Sequence, residues 1–212
     1  MSGYKHYYFN VRARGEISRL SFAAANIDFE DIRLNDEGWA KEKASGRPPL
    51  GQMPFIVTPE GKLLAQSGAI MKYICKKAGL YPADPFDEAI ADMINDGVND
   101  LRNVVVKFHF EKDEAKKEEL KKEFFETTLP ARIEKFEALL KGDYFVSDKL
   151  TYADITFFDF FNGFLPAKGE PAVPEQLSKL QELSPKLAEH YKRVLAVPEI
   201  KAWLEKRPKT DF

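Results

Sequence analysis

Two adjacent tyrosines near the start of the chain are the first residues whose side chains could take part in a reaction. They lie in HYYFNVRARGE, residues 6–16, ahead of a phenylalanine and two arginines. A phenol with a pKa near 10 keeps its proton at neutral pH, so its hydroxyl acts as a hydrogen-bond donor rather than as a base. The alternative is that both rings are ordinary strand aromatics in a core.

Two further segments have the chemistry to bind carboxylates. Ser67 follows Gln66 in AQSGAI and is predicted to cap a helix, whose first turn presents free N–H groups and a partial positive charge. Trp39 and Lys43 are four residues apart on a predicted short helix, which places an indole N–H and an ammonium on one face. Plain helix capping and a half-buried tryptophan beside a surface lysine explain the same residues without a ligand.

A proline at the entry to a strand is the third such feature. In GQMPF, residues 51–55, Pro54 stands where a strand should begin, which is unusual unless the backbone before it has another use. A cis Met53–Pro54 bond would turn that backbone outward, towards a ligand. The alternative is a simple strand-entry proline with a trans bond, and the residues alone leave both open.

The first 79 residues contain the short elements that must position these side chains. We predict strands at KHYYF and FEDIRL, a helix at EISRLSFAAANI, and two short strands around the turn at residues 59–61. A final helix is predicted to begin at Ser67 and to be stopped by Gly79. Strand side chains alternate between two faces, so Tyr7 and Tyr8 are expected to point to opposite sides.

The sequence after these elements is typical of long helices. LYPADP, residues 80–85, has two prolines and is a candidate linker. The helix predicted next has apolar residues every three or four positions, at Ile90, Ile94, Val98, Leu101, Val105 and Phe108. The predicted fold class is therefore α/β plus all-α, with an α/β domain at residues 1–79, the linker, and an all-helical domain at residues 86–212.

Further helices complete the predicted second domain. One is expected over residues 114–141, with a kink or break at Pro130. Another begins at LTYADI, where Thr151 and Asp154 match a capping box and so have a structural role. The last two are expected at about 175–195 and 197–206.

Composition excludes several classes of function. The chain has 212 residues, 44% of them apolar and 31% charged, and a net charge of −2, which is typical of a soluble globular protein without affinity for nucleic acid or membranes. A single cysteine, Cys75, excludes a disulfide framework, and the three histidines fit no metal-ligand spacing. Neither a signal peptide nor a membrane-spanning segment is evident, so we expect a cytoplasmic protein.

Five separated segments, taken in order, resemble the cytosolic glutathione transferases. YYFNVRARGE, GW, GQMPF, QSGAI and KAWLEKRPKTDF look most like the sigma class, which includes haematopoietic prostaglandin D synthases and lens S-crystallins. The resemblance covers essentially the whole chain. It implies a thioredoxin-like βαβαββα domain that binds glutathione, a helical domain that supplies most of the electrophile pocket, and a cytoplasmic homodimer that acts in detoxification.

The resemblance also implies roles for individual residues. Tyr8 matches the catalytic tyrosine, and Asp100 matches an acid that reaches the γ-glutamyl amine of the partner subunit's glutathione. Pro54 lies where the family presents its backbone to the ligand, so we predict the Met53–Pro54 bond to be cis. The implied glutathione-binding residues are Tyr8, Arg14, Trp39, Lys43, Gln52, Met53, Pro54, Gln66, Ser67 and Asp100. The implied lining of the electrophile pocket is Val11, Ala13, Arg102, Val106, Thr156 and Phe160.

Two departures from the family pattern affect these assignments. The family usually has Arg-Gly-Arg-Ala-Glu where this chain has RARGE, so Ala13 and Gly15 are exchanged, and Ala13 is expected to narrow the pocket beside the tyrosine. The segment between Lys43 and Gly51 is about two residues longer than usual. Arg47 is therefore an alternative to Lys43 as the ligand of the glycyl carboxylate.

The resemblance implies a glutathione transferase that conjugates the glutathione thiolate to hydrophobic electrophiles, with glutathione as co-substrate and no metal. Tyr8 would stabilise the thiolate. One alternative is an isomerase of the prostaglandin D synthase type, which also uses a thiolate. Another is a non-catalytic binding or lens-structural protein on the same scaffold. The retained Tyr8, Gln66 and Ser67, and the lack of a large insertion, favour the enzyme.

Overall fold

A computed structural model describes residues 3–165 and 173–210 of the chain. The ends of the predicted domains at residues 1–2 and 211–212, and residues 166–172 within the second domain, lie outside this description. The first elements are β1 (Tyr4–Phe9), α1 (Ala13–Ala24), β2 (Phe29–Leu34), α2 (Asp36–Ala44), β3 (Phe55–Val57), β4 (Leu63–Ala65) and α3 (Ser67–Lys77). This order confirms the predicted βαβαββα arrangement.

The four strands form one sheet in the order β2-β1-β3-β4. β1 pairs parallel with β2 and antiparallel with β3, and β3 pairs antiparallel with β4. One face of β1 packs on α1, where the ring of Tyr4 lies 5.3 Å from that of Phe22. Tyr7 lies on the other face in a smaller cluster with Phe55 and Ala65. β1 therefore has apolar contacts on both faces, and its end can carry a functional side chain.

The described residues after α3 form helices, as predicted. The elements are α4 (Pro85–His109), α5 (Glu114–Glu123), α6 (Leu129–Leu139), α7 (Tyr152–Asp159), α8 (Val173–Leu183), α9 (Pro185–Leu195) and α10 (Pro198–Lys206). The apolar stripe of α4 is buried in the main hydrophobic core, which also takes Ile17 and Leu20 from α1 and Met71 from α3. The sheet domain and the helical domain thus share one core.

The helix predicted over residues 114–141 is interrupted just before its proline. A π-helical turn, Phe124–Thr128, separates α5 from α6, and Pro130 lies in the first turn of α6. Proline has no N–H for the carbonyl one turn earlier, and a π turn is one way for a helix to accommodate that loss. A second π turn, Phe160–Phe164, follows α7.

The single helix predicted at about 175–195 is wrong, because the chain breaks at Ser184. The Ser184 hydroxyl accepts a hydrogen bond from the Leu187 N–H at 3.0 Å, and Pro185 occupies the first position of α9. A serine cap followed by proline is a helix start, so two helices form where the apolar period alone suggested one.

The capping box predicted at the start of α7 is confirmed. The Thr151 hydroxyl and backbone N–H both lie 2.8 Å from one carboxylate oxygen of Asp154. The other oxygen accepts a hydrogen bond from the Phe145 N–H and contacts the His190 ring nitrogen, each at 2.9 Å. Asp154 is thus a structural residue that fixes the start of this helix.

Candidate active site

A cleft of about 480 Å³ opens where the end of β1, the start of α1, α2, the loop before β3 and the start of α3 come together. It is lined by Tyr8, Phe9, Arg14, Trp39, Lys43, Gly51, Gln52, Met53, Pro54, Gln66 and Ser67. The structure thus brings together every predicted glutathione-binding residue except Asp100. The Met53–Pro54 bond in its wall is cis, which confirms that prediction.

Tyr8 lies one residue before the end of β1, with its ring against Gly15 at the start of α1. Only 8% of this residue is exposed. Burial raises the pKa of its phenol, although a backbone hydrogen bond from Arg14 and the charge of Arg19 act in the opposite direction. The hydroxyl therefore keeps its proton at neutral pH and can donate a hydrogen bond into the cleft.

Tyr7 points to the opposite face, as the strand alternation predicted. Its ring stacks on Phe55 with the centroids 4.5 Å apart and the planes 7° from parallel. The Arg47 guanidinium lies over the same ring, 4.7 Å from its centroid. Tyr7 is consequently a packing residue outside the cleft.

Arg19 is a buried residue of this region that sequence reasoning missed. Its guanidinium donates to the backbone carbonyls of Val11 at 2.7 Å and Phe9 at 3.2 Å, and lies 5.7 Å from the centroid of the Tyr8 ring. Its Nε donates to Asp31 at 2.9 Å. Arg19 therefore fixes the loop that follows Tyr8. In the sequence, a single arginine inside the apolar run EISRLSF indicated that this side chain is buried with a structural role.

The start of α3 differs from the prediction in one respect. Ser67 is the first residue of the helix rather than its cap, and Gln66 holds the cap position with φ of 72°. No side chain in the described structure caps this helix end, which leaves its first N–H groups available where Gln66 and Ser67 line the cleft. The Gln66 amide donates to the Gln52 side chain at 2.9 Å, which ties the start of α3 to the loop before β3.

Lys43 and Arg47 have different surroundings. Lys43 is exposed and lines the cleft beside Trp39. Arg47 donates to Glu42 at 3.0 Å and lies on the Tyr7 ring, away from the cleft. The geometry therefore favours Lys43 over Arg47 as the cation available to a carboxylate. Arg14, also in the cleft wall, donates to Asn103 of α4 at 2.8 Å.

Asp100 is the predicted glutathione ligand that a single chain does not bring to the cleft. It lies on an outward face of α4 with 64% of its side chain exposed, 3.4 Å from Arg132. This position does not line the cleft of its own chain, and a contact with the partner subunit's glutathione stays a prediction.

The structure buries three of the residues predicted for the helical side of the electrophile pocket. Thr156 and Phe160 are completely buried, and the Thr156 hydroxyl lies 3.0 Å from the Met71 sulfur. Arg102 is buried in an ion pair with Asp159. These three side chains belong to the core because the ion pair and the aromatic packing around it close this region. Of the other predicted residues, Val11 and Val106 are half-buried, and Ala13 is buried with φ of 34°.

In the ranges described, none of the helices combines the length and apolar character needed to cross a bilayer. Nor do three or more His, Cys, Asp or Glu side chains converge in these ranges as a metal site would require.

Comparisons with known proteins agree over the whole chain. Residues 5–76 match the model of the glutathione S-transferase N-terminal domain, and residues 99–207 match that of the C-terminal domain. Glutathione S-transferase 1 of Ascaris suum is 35% identical, with 100% of each chain covered. A structure of prostaglandin synthase D of Nilaparvata lugens has a TM-score of 0.82 and 32% identity, covering 97% of this chain and 98% of that one. The crystal structure of a monomeric glutathione S-transferase of the hookworm Necator americanus has a TM-score of 0.84 and 31% identity, covering 99% and 100%.

Proposed function

Because the chain belongs to the glutathione S-transferase family and is a glutathione transferase, we propose that Tyr8 stabilises the glutathione thiolate in the cleft described above. The thiolate then attacks a hydrophobic electrophile. The single observation that carries this proposal is the convergence of Tyr8, a free helix end and Lys43 on one cleft.

The energy needed to ionise the thiol is within reach of one hydroxyl. A thiol with a pKa of about 8.5 is only a few per cent thiolate at pH 7. Lowering that pKa by about two units requires roughly 2.7 kcal/mol. A hydrogen bond to a charged acceptor contributes about 1.5–3 kcal/mol.

The protonation state of Tyr8 supports this role. Burial raises the pKa of its phenol, so the hydroxyl keeps its proton at neutral pH and is available as a donor to the thiolate. The thiol proton leaves to water, since a buried phenol is a poor base at neutral pH.

The charges of glutathione match the groups around the cleft. The free N–H groups of α3, with Gln66 and Ser67, would hold the γ-glutamyl carboxylate. Trp39 and Lys43 would hold the glycyl carboxylate, and the Met53 backbone would pair with the cysteinyl backbone. With both ends held, the sulfur is presented to Tyr8.

In the conjugation step, the thiolate sulfur uses an electron pair to form a bond to the electrophilic carbon. With an aryl halide, the bond to the halogen breaks and halide leaves with its electron pair. Val11 and Val106, which are half-buried, and Ala13 remain the proposed lining of the electrophile pocket. Tyr8 retains its proton throughout.

The proposal also includes the assembly and setting of the protein. We propose a cytoplasmic homodimer of the sigma class, acting in detoxification, in which Asp100 of each chain reaches the glutathione amine of its partner. The exposed position of Asp100 supports this arrangement. The proposed division of the chain is a glutathione-binding domain at residues 1–79, a linker at residues 80–85 and a helical domain at residues 86–212.

Isomerisation of prostaglandin H2 to D2 is a second candidate activity. The likeness to the prostaglandin synthase D of Nilaparvata lugens favours it, and it would use the same thiolate. It therefore needs an assay of its own beside conjugation.

The experiment that tests the proposal combines a glutathione-affinity column with assays of a generic aryl halide and of prostaglandin H2. We expect retention on the column and turnover of the aryl halide, and a large loss of that turnover in Tyr8→Phe. Retention without turnover of either substrate would mean a binding protein and would contradict the proposal.

A further inference from the structure

We propose that Gly15 is a positioning residue for Tyr8, because the space left by its missing side chain is where the tyrosine ring lies. The inference rests on the proposed function, since the position of the ring matters for catalysis only if Tyr8 stabilises the thiolate. It concerns how this chain aims the hydroxyl rather than which residue supplies it.

The contact between the two residues leaves no space for a methyl group. A Cβ atom added at Gly15 would lie 2.3 Å from Cδ1, 2.6 Å from Cγ and 3.0 Å from Cε1 of Tyr8. Carbon atoms in favourable contact are about 3.5–4.0 Å apart. Cγ and Cδ1 lie at the base of the ring, so a small bend at the tip of the side chain cannot relieve the clash. Either the whole ring or the helix beneath it must move.

The helix is held in place by the residue that follows Gly15. Glu16 is fully buried, and one of its carboxylate oxygens accepts hydrogen bonds from Trp203 and Arg207, each at 2.8 Å. Its other oxygen accepts from Arg19 at 3.3 Å. Trp203 of α10, Arg207 just after it and Arg19 of α1 itself therefore hold the first turn of α1. The Tyr8 ring borders the open cleft, so the ring is the part that yields.

Movement of the ring would change the environment of its hydroxyl. The ring lies against Gly15 and lines the cleft, so a ring pushed away from α1 carries its hydroxyl to a new position there and changes its distance to the thiolate. A displacement of about 1 Å at a reacting group can cost on the order of 100-fold in rate.

The same geometry gives a reason for the exchange of alanine and glycine in RARGE. Ala13 adopts φ of 34°, a left-handed conformation that favours glycine, yet the chain has its methyl group there. Position 15 has helical geometry that suits alanine, yet it is glycine. Local backbone preference would place these residues the other way round. In this chain the Tyr8 ring occupies the space beside position 15, and glycine is the residue that fits there.

The test is Gly15→Ala, with Gly142→Ala as the matched control, since a Cβ at Gly142 meets nothing within 4 Å. Protein labelled with 3-fluorotyrosine reports the ring position by fluorine NMR, and Tyr8→Phe identifies the Tyr8 resonance by its loss. We expect Gly15→Ala to shift that resonance and to raise the pKa of the bound thiol by about one to two units. kcat at pH 7 should fall about 10- to 100-fold, with the KM for glutathione within about threefold. Gly142→Ala should change none of these.

If Gly15→Ala lowers Tm and folds poorly, the same substitution is compared in a Tyr8→Ala background. The ring is absent there, so Gly15→Ala should not lower Tm, because alanine is the better helix former. An equal loss of Tm with and without the ring would overturn the proposal. So would a Tyr8 resonance and a thiol pKa that Gly15→Ala leaves unchanged.

The design also separates this inference from the proposed function. If Tyr8→Phe leaves the pKa of the bound thiol unchanged, the proposed role of Tyr8 has failed. The catalytic part of the inference fails with it, whatever Gly15→Ala does to the fluorine resonance. If Tyr8→Phe raises that pKa and Gly15→Ala does not, only the positioning role is overturned.

Discussion

Tyr7 and Tyr8 are neighbours in the sequence, yet their rings lie on opposite faces of β1. Tyr7 stacks on Phe55 at 4.5 Å, whereas Tyr8 lies against Gly15 and lines the cleft. A single step along a strand thus separates a packing residue from the candidate catalytic residue. The pair is a matched test of the proposed function, because removing one oxygen atom from each ring changes only the hydroxyl.

Tyr8→Phe should raise the pKa of bound glutathione by about two units, back towards its free value. The rate at pH 7 should fall about 10- to 100-fold, because less thiolate is present. The loss should shrink at high pH, where glutathione ionises without help. The measurement is the thiolate absorbance of the bound ligand as a function of pH.

Tyr7→Phe is the control for that titration and should leave the thiol pKa unchanged. A shift with Tyr7→Phe but not with Tyr8→Phe would mean that the assigned roles of the two residues are reversed. A shift with neither variant would mean that another donor activates the thiol.

Lys43→Met should raise the KM for glutathione about 5- to 10-fold with little change in kcat. The ammonium binds a remote carboxylate equally well before and during the reaction, so its loss affects binding only. Arg47→Met should leave that KM unchanged and lower Tm, because it removes the guanidinium that lies on the Tyr7 ring. Steady-state kinetics give the KM of both variants, and thermal unfolding gives their Tm. A raised KM in Arg47→Met but not in Lys43→Met would mean that Arg47 binds the glycyl carboxylate.

Asp100→Ala should raise the KM for glutathione more than it lowers turnover, because it removes a ligand contact and not the thiolate donor. Glu118→Ala, which removes an acid from the charged face of α5, should change neither. Light scattering at micromolar concentration should give the mass of a dimer. A monomer that still shows the Asp100 effect would contradict a site shared between subunits.

Arg207→Met should lower the free energy of unfolding by about 3–5 kcal/mol, because it leaves the buried Glu16 carboxylate without one of its charged donors. Arg132→Met is the control, since its pair with Asp100 is exposed and should contribute less than about 1 kcal/mol. Urea unfolding of both variants measures the difference. The double variant Glu16→Gln/Arg207→Met should recover part of the loss, and purely additive losses would contradict the coupling.

The effect of Arg207→Met should also depend on pH. Burial by itself raises the pKa of Glu16, but Arg207, Arg19 and the Trp203 hydrogen bond together hold it below its ordinary value. Glu16 therefore stabilises the folded protein above the unfolded-state pKa of about 4.3, and this contribution is lost as the pH falls through the lower folded-state pKa.

In Arg207→Met that depression of the pKa is weakened. The stability difference between the two proteins should therefore be largest near pH 7 and should shrink as acid protonates Glu16. Urea unfolding at several pH values between 7 and 3 measures it. A difference that stays constant over this range would contradict the assignment.

Local patterns predicted the order of the elements, the alternation along β1 and the capping box of Thr151 and Asp154. Each of these depends on residues a few positions apart, whose spacing fixes their relative direction. The break at Ser184 is also local, but an apolar period that continues across it hid the serine-proline signal. Ser67 is the first residue of α3 rather than its cap because Gln66, with positive φ, takes the cap position. Nothing in the neighbouring sequence indicates that Gln66 adopts this conformation.

Other features depend on contacts between distant parts of the chain. Arg102 and Asp159 are 57 residues apart, and only the packed structure shows that their pairing closes the region where Thr156 and Phe160 were expected to meet an electrophile. Helical spacing shows which residues share a face, but not whether that face meets a cleft or a core. The contact of the Tyr8 ring with Gly15 likewise arises only when β1 packs on α1.

The contact of Glu16 with Arg207 also sets an order of events during synthesis. The two residues are 191 positions apart, so a ribosome extends the chain by that number of residues after Glu16 before Arg207 exists. During most of that extension, the Glu16 carboxylate lacks both its Trp203 and its Arg207 donor. The nascent α1 therefore cannot complete the hydrogen bonds of its first turn until α10 and Arg207 have been synthesised.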